Sequence, residues 1–176
     1  AGVPLRLVTG ADNHIVGDFV AGLTSGRLLS LADTRYVLVE PPHHVPPARL
    51  EEFFFGITMA GYVPILTHPE RLTWVKNQYA TIDRLLQAGV WMQITCGSLT
   101  GAFGREPKYW GERMLAEGKV HILASDAHDT TRRIPCLGRG RAAAAKSVGE
   151  IEARHLVETR PTGVLENVAP SALPPL

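Results

Sequence analysis

Long apolar runs are missing from this chain. The longest, Val63-Pro64-Ile65-Leu66 and Val120-His121-Ile122-Leu123-Ala124, fall far short of the ~20 residues that a membrane-spanning helix requires. They read as buried strands, and no membrane insertion is expected. Cysteine is scarce: Cys96 and Cys136 are the only two, so a disulfide framework is not expected. No basic-then-apolar leader opens the sequence, which makes the cytoplasm the expected compartment. An excess of one charge is also lacking. With 18 basic against 17 acidic residues the net charge is +1, so no global field draws the chain toward nucleic acid, and any anion must be held locally. Internal repeats and linkers are absent as well. What is present is the composition of one globular domain: 176 residues, 45% hydrophobic and 20% charged, enough to bury a sizeable core.

Short β-branched apolar segments predict strands at residues 4–9, 36–40, 63–67, 90–95, 120–125 and 163–165. Helical patterns lie between them at 48–60, 79–88, 107–117 and 137–159, with Gly118 a natural stop for the third. The alternation is βαβα. Strands apolar along their whole length imply a parallel sheet covered by helices, hence a barrel or a doubly wound α/β domain. Polar, ligand-capable residues follow successive strands: Asp12, Glu40, His68, the 95–98 turn, then Asp126 and His128. Barrel enzymes build their sites at such strand ends. A full eight-unit barrel takes ~250 residues, and this chain has too few strands to close one. Its first residues read as the middle of a strand, so the expectation is a domain over 1–168 lacking its N-terminal part, followed by a flexible tail at 169–176 rich in proline.

Three strand ends carry chemistry. Thr67-His68-Pro69-Glu70-Arg71 sets an imidazole and a guanidinium on one loop; the first suits a metal, and the planar fork of the second can bind two phosphate oxygens. A capped strand end with a Glu70–Arg71 surface ion pair is the plainer alternative. In Ser125-Asp126-Ala127-His128 the i, i+2 spacing on an extended segment points carboxylate and imidazole to one side, where one metal can take both. A helix-capping Asp beside a surface His is the alternative there. Glu40 closes an apolar strand, and a charge at a buried strand end needs a partner such as a cation, unless the loop simply solvates it.

The chain resembles the PHP (polymerase and histidinol phosphatase) type of bacterial protein-tyrosine phosphatase, encoded with capsule and exopolysaccharide genes. The likeness runs through Gly10-Ala11-Asp12-Asn13-His14, Tyr36-Val37-Leu38-Val39-Glu40-Pro41-Pro42, Gly61 to Arg71, Gly97-Ser98-Leu99-Thr100-Gly101-Ala102-Phe103-Gly104, Ser125-Asp126-Ala127-His128 and Leu165-Glu166-Asn167. The family's opening His-x-His segment and its next histidine motif have no counterpart here. The resemblance implies a distorted (β/α)7 TIM-like barrel without its N-terminal strands. It implies divalent metal ions at the strand-end mouth, most often Mn2+, with Fe or Zn as alternatives. Glu40, His68, Asp126 and His128 match its metal ligands, and Arg71 and Arg133 match the residues that hold phosphate, with Arg132 one position away from the second. Asp12 stands where the family more often has glutamate, and His14 follows it. The implied activity is hydrolysis of protein phosphotyrosine without a covalent phosphoenzyme. The implied partner is the tyrosine-rich tail of a bacterial autokinase, and a homo-oligomer is left open. A histidinol-phosphatase-like small-molecule phosphoesterase and a non-catalytic, metal-binding regulatory barrel are the rival readings.

Other residues invite a role. His43 and His44, in a proline-flanked loop, read as exposed imidazoles near substrate. Cys96 lacks the following arginine that a cysteine-phosphatase loop uses to close a ring around phosphate, so it and Cys136 read as packing thiols. The 97–101 segment is either a plain turn or a close approach to ligand. Trp91 reads as core, with Trp74 and Trp110 near the pocket edge.

Overall fold

Four of the six expected strands form at or within a residue or two of the bounds their composition predicts. The computed structural model describes residues 6–176, with parallel strands β1 (Asp12–His14), β2 (Tyr36–Glu40), β3 (Val63–Thr67), β4 (Trp91–Thr95) and β5 (Ile122–Ala124). They form one sheet in the order β1-β2-β3-β4-β5, every neighbouring pair parallel. The helices are α1 (Phe19–Thr24), α2 (Leu50–Met59), α3 (Ala80–Gln87), α4 (Cys96–Leu99), α5 (Arg105–Ala116), α6 (Leu137–Arg154) and α7 (Arg160–Leu165), with a π-helical turn, His155–Thr159, joining the last two. Gly118 takes φ 65° just after α5, the left-handed turn that stops that helix as expected.

The two-residue pleat sorts the strands into two apolar layers. Val37, Val39, Leu66, Met92, Ile94 and Leu123 face the helices and pack with Phe54, Ile57, Ile82, Leu85 and Met114. Tyr36, Ile65, Trp91 and Ile122 face the other way and gather around Val164 and Leu173. Trp91 lies in this second layer as expected, stacked on His121 with ring centroids 4.6 Å apart. Burial holds the His121 imidazole down at about 3, so it stays neutral and its Nδ1 accepts from the Met92 amide at 3.1 Å.

Three sequence expectations differ from this structure. Residues 6–9 of the strand expected at 4–9 are not a strand, and positions 4 and 5 lie outside the described residues. The first strand is instead the polar Asp12–His14, held because buried Asn13 donates to the carbonyls of Ala11, Leu29 and Leu38. The expected strand at 163–165 is the end of α7, since the helical run of α6 continues through the π turn and Pro161 sits where a first turn tolerates it. The C-terminal segment, expected to be flexible, is packed: the fully buried Arg160 donates to the carbonyls of Pro174 (3.0 Å) and Pro175 (2.6 Å), and Leu173 presses on Gly163. A guanidinium buried among carbonyls and Glu152 Oε1 (2.6 Å) anchors what composition alone marks as loose. No helix among the described residues is long and apolar enough to cross a membrane.

Candidate metal and phosphate site

The ends of β1, β2 and β3 lie side by side, and each carries a polar side chain to one edge of the sheet. Glu40 shares the pleat parity of Tyr36, so it points to the face opposite the helices. Three imidazoles converge on its carboxylate. His43 Nε2 and His68 Nε2 lie 3.3 and 3.2 Å from Oε1, and His14 Nδ1 lies 3.1 Å from Oε2. Asp12 Oδ2 stands 3.6 Å from His68 Nε2, and the Thr67 hydroxyl donates to Asp12 Oδ1 at 3.2 Å.

His68 reaches this position through a left-handed backbone at φ 35° while its amide continues the ladder to the Gln93 carbonyl at 2.7 Å. Asp126 is left-handed too, at φ 51°. Non-glycine residues adopt that region at a cost and concentrate it where a side chain must be aimed.

Ligand-capable atoms of Glu40, His43 and His68 all lie within 4.8 Å of one another. His68 is 3% exposed, and its Nδ1 is buried without a hydrogen-bond partner. Burial, and then the neighbouring His68, hold the His43 imidazole below its usual pKa. It is therefore neutral at physiological pH, with a lone pair to offer. Carboxylate and imidazole donors gathered this way fit a divalent transition metal.

A second cluster forms beyond β5. Asp126 Oδ2 accepts from Arg71 Nη1 at 2.9 Å and, more closely, from Arg133 Nη2. Arg133 Nη1 is 3.1 Å from His128 Nε2, while His128 Nδ1 is 3.0 Å from the Asp126 carbonyl and 3.8 Å from Asp126 Oδ1. Asp129 shapes the loop that presents them: its Oδ1 accepts from the amides of Thr131 (2.7 Å), Arg132 (2.5 Å) and Arg133 (3.2 Å). Those amide bonds hold the Asp129 carboxyl below its usual pKa.

The structure thus groups Glu40 with His68, and Asp126 with His128, Arg71 and Arg133. No hydrogen bond or ion pair among the described residues joins Asp126 directly to Glu40. Arg71 bridges them along the chain, three residues after His68. Between Arg132 and Arg133, it is Arg133 that enters the cluster.

Several neighbours escaped sequence reading. His43 is not a freely exposed loop imidazole: the Trp74 indole donates to the Pro42 carbonyl at 3.0 Å and the Thr73 amide to the His43 carbonyl at 3.0 Å, pinning the loop over Glu40. His44, by contrast, is exposed. Trp110 packs on Tyr79, the ring centroids 5.0 Å apart. Glu70 forms no surface ion pair with Arg71. It is 1% exposed, accepts from Ser98 Oγ (2.7 Å) and the Thr95 amide (3.0 Å), and burial pushes its pKa up. The 97–101 turn thereby fastens the loop that carries Arg71. Gly97 also leaves room for Phe103, whose ring lies 4.5 Å from Arg71 Cζ and 5.7 Å from Arg133 Cζ; a Cβ on Gly97 would come within 2.6 Å of that ring. Both guanidinium groups thus lie against one aromatic ring. Cys96 is fully buried against Gly140, and burial, with Cys136 beside it, pushes its thiol up to about 12. At neutral pH it is a thiol and not a nucleophile.

With this geometry in hand, the relatives are informative. The tyrosine-protein phosphatase YwqE of Bacillus subtilis (strain 168) is 35% identical over 131 residues, 74% of this chain and 52% of that protein. The tyrosine-protein phosphatase CpsB of Streptococcus pneumoniae is 25% identical over 171 residues, 92% of this chain and 68% of that protein. A solved chain from the crystal structures of these two enzymes, described as unique metal-dependent tyrosine phosphatases, superimposes with TM-score 0.89 at 31% identity, covering 94% of this chain and 67% of that one. The chain spans about half the length of YwqE. Residues 1–166 match the family described as capsular polysaccharide synthesis, CpsB/CapC, and the chain belongs to that family.

Proposed function

We propose that this chain carries the hydrolytic site of a metal-dependent protein-tyrosine phosphatase serving capsule or exopolysaccharide synthesis. The observation that carries this reading is the placement of a carboxylate–imidazole cluster and a pair of arginines at one sheet edge, joined by the five residues Thr67 to Arg71. Glu40, His43 and His68 would hold a cation, with Asp12 and His14 beside them. Asp126 and His128 form a second donor pair. Mn2+ is the favoured ion, and Fe or Zn satisfies the same donors. A divalent cation there supplies positive charge to phosphate oxygens and acidifies water.

The chain's own residues supply the rest. Arg71 and Arg133 are neutralised by a single carboxylate, so the pair keeps net positive charge with which to grip a phosphate dianion. Phe103 beneath both guanidinium groups fixes their planes. Their contacts strengthen as charge spreads over the equatorial oxygens in the transition state, which is how preorganised donors accelerate phosphoryl transfer. Water attacks phosphorus, the bond to the tyrosyl oxygen breaks, and phenol leaves as a comparatively stable anion, so no cysteine is required.

The sequential, all-parallel strand order is that of a barrel sector, which supports a distorted (β/α)7 barrel of the PHP type with residues 1–168 as phosphatase domain. The tyrosine-rich tail of an autokinase is the proposed partner, and the cytoplasm the proposed compartment. Metal content and turnover of a phosphotyrosine peptide, measured on one preparation of the full protein with histidinol phosphate as competitor, test the reading. Metal-dependent turnover of the peptide in preference to histidinol phosphate is expected. The opposite preference would make it a small-molecule phosphoesterase, and bound metal without turnover a regulatory barrel.

A further inference from the structure

Beside the phosphate-holding arginines, Phe103, Asp126 and Arg133 form part of the wall of a cavity of about 270 Å³. Arg132 and Arg139 line it too. These two differ from every arginine in the site. Arg71 and Arg133 share Asp126, whereas the exposed guanidinium groups of Arg132 and Arg139 meet no carboxylate among the described residues. Elsewhere several surface arginines meet a carboxylate, among them Arg27 with Asp18, Arg84 with Glu51, Arg113 with Glu117, Arg141 with Glu150 and Arg154 with Glu158. What sets Arg132 and Arg139 apart is that both, without a carboxylate partner among the described residues, line one cavity. The loop fixes Arg132 where it is, because Asp129 binds its amide, and the first turn of α6, which carries Arg139, contains no acidic side chain to offset it.

Like charges placed together at the edge of a cleft raise the local concentration of an anionic ligand and favour the partner of opposite charge. Resting on the phosphatase reading for what lies next door, we propose that this cavity is a specificity subsite for an acidic side chain adjacent to the phosphotyrosine. The preferred substrates are then phosphotyrosine peptides with Asp or Glu next to the phosphorylated residue. Phe103 belongs to both: its ring lies 4.5 Å from Arg71 Cζ, and it lines the cavity.

The test is equilibrium binding of two fluorescent phosphotyrosine peptides to the full protein, one with Glu flanking the phosphotyrosine and one with Gln in the same positions. Two exposed ion pairs predict roughly three- to thirtyfold tighter binding of the Glu peptide, shrinking as salt is raised. Arg132→Gln/Arg139→Gln should erase the difference, and Arg132→Glu/Arg139→Glu should reverse it. Equal binding of both peptides by the unaltered protein, or a preference that survives in the double Gln variant, would overturn the subsite. So would tighter binding of a single-stranded oligonucleotide than of the Glu peptide. A Glu preference in binding with no turnover of either peptide would defeat the phosphatase reading and leave the subsite standing.

Discussion

The two ends of the sheet edge solve opposite electrostatic problems. On the β1–β3 side the Glu40 carboxylate is surrounded by His14, His43 and His68, with Asp12 beside His68, and no arginine among the described residues contacts it. On the β5 side a single carboxylate, Asp126, is held by Arg71 and Arg133. Imidazoles can give up a proton and offer lone pairs, so the first arrangement suits a cation; guanidinium groups never do, so the two arginines of the second suit an anion, with His128 the one lone-pair donor beside them. The difference teaches that the groups around a half-buried carboxylate, and not the carboxylate itself, decide what a strand end suits.

That comparison can be broken most severely at Glu40. Glu40→Gln keeps the shape and removes the charge on which three imidazoles converge, so divalent-metal affinity should fall more than about 100-fold, with turnover lost alongside it. Calorimetric titration with Mn2+ reads this directly, and undiminished affinity would erase the contrast between the two sides. His43→Ala sharpens the same side by a smaller step. With His68 and Glu40 intact, about a tenfold loss of metal affinity is expected, and no loss would return His43 to a loop residue near substrate. The smallest effect belongs to neither side: Cys96→Ser should leave turnover within about twofold, since a thiol at about 12 supplies no thiolate at neutral pH. Inactivation by that change, in a protein that still folds, would point to cysteine chemistry.

Much of this was legible in the chain because strand-end chemistry is local. β2 and β3 have the bounds their apolar runs predict, and Glu40 and His68 follow directly from them. Asp126 and His128 stay neighbours, 3.8 Å apart, but through a left-handed Asp126 at φ 51° and not the extended segment that the i, i+2 spacing suggested. What could not be read depends on contacts distant in sequence. His43 joins Glu40 because Trp74, over thirty residues on, pins the proline loop. Phe103 comes beneath Arg71 through the α4 turn, and Glu70 turns inward to Ser98 when a surface ion pair was the simpler expectation. The polar β1 was hidden because its stabilising bonds come from one buried amide side chain and not from an apolar pattern. The ordered C-terminal segment was hidden for a similar reason, since only the fold reveals that Arg160 is buried beneath it.

The division of labour between the two sides is tested most directly by Arg71→Lys, with metal content and phosphotyrosine-peptide turnover measured on the same preparation. Lysine keeps the charge but loses the planar fork, the cation–π contact geometry and one of two directed donors. The account predicts metal content equal to that of the unaltered protein and a fall in turnover of roughly 10²- to 10³-fold, the loss typical of a transition-state oxyanion donor. Undiminished turnover with metal still bound would contradict it, leaving Arg71 as no more than the structural counter-ion of Asp126.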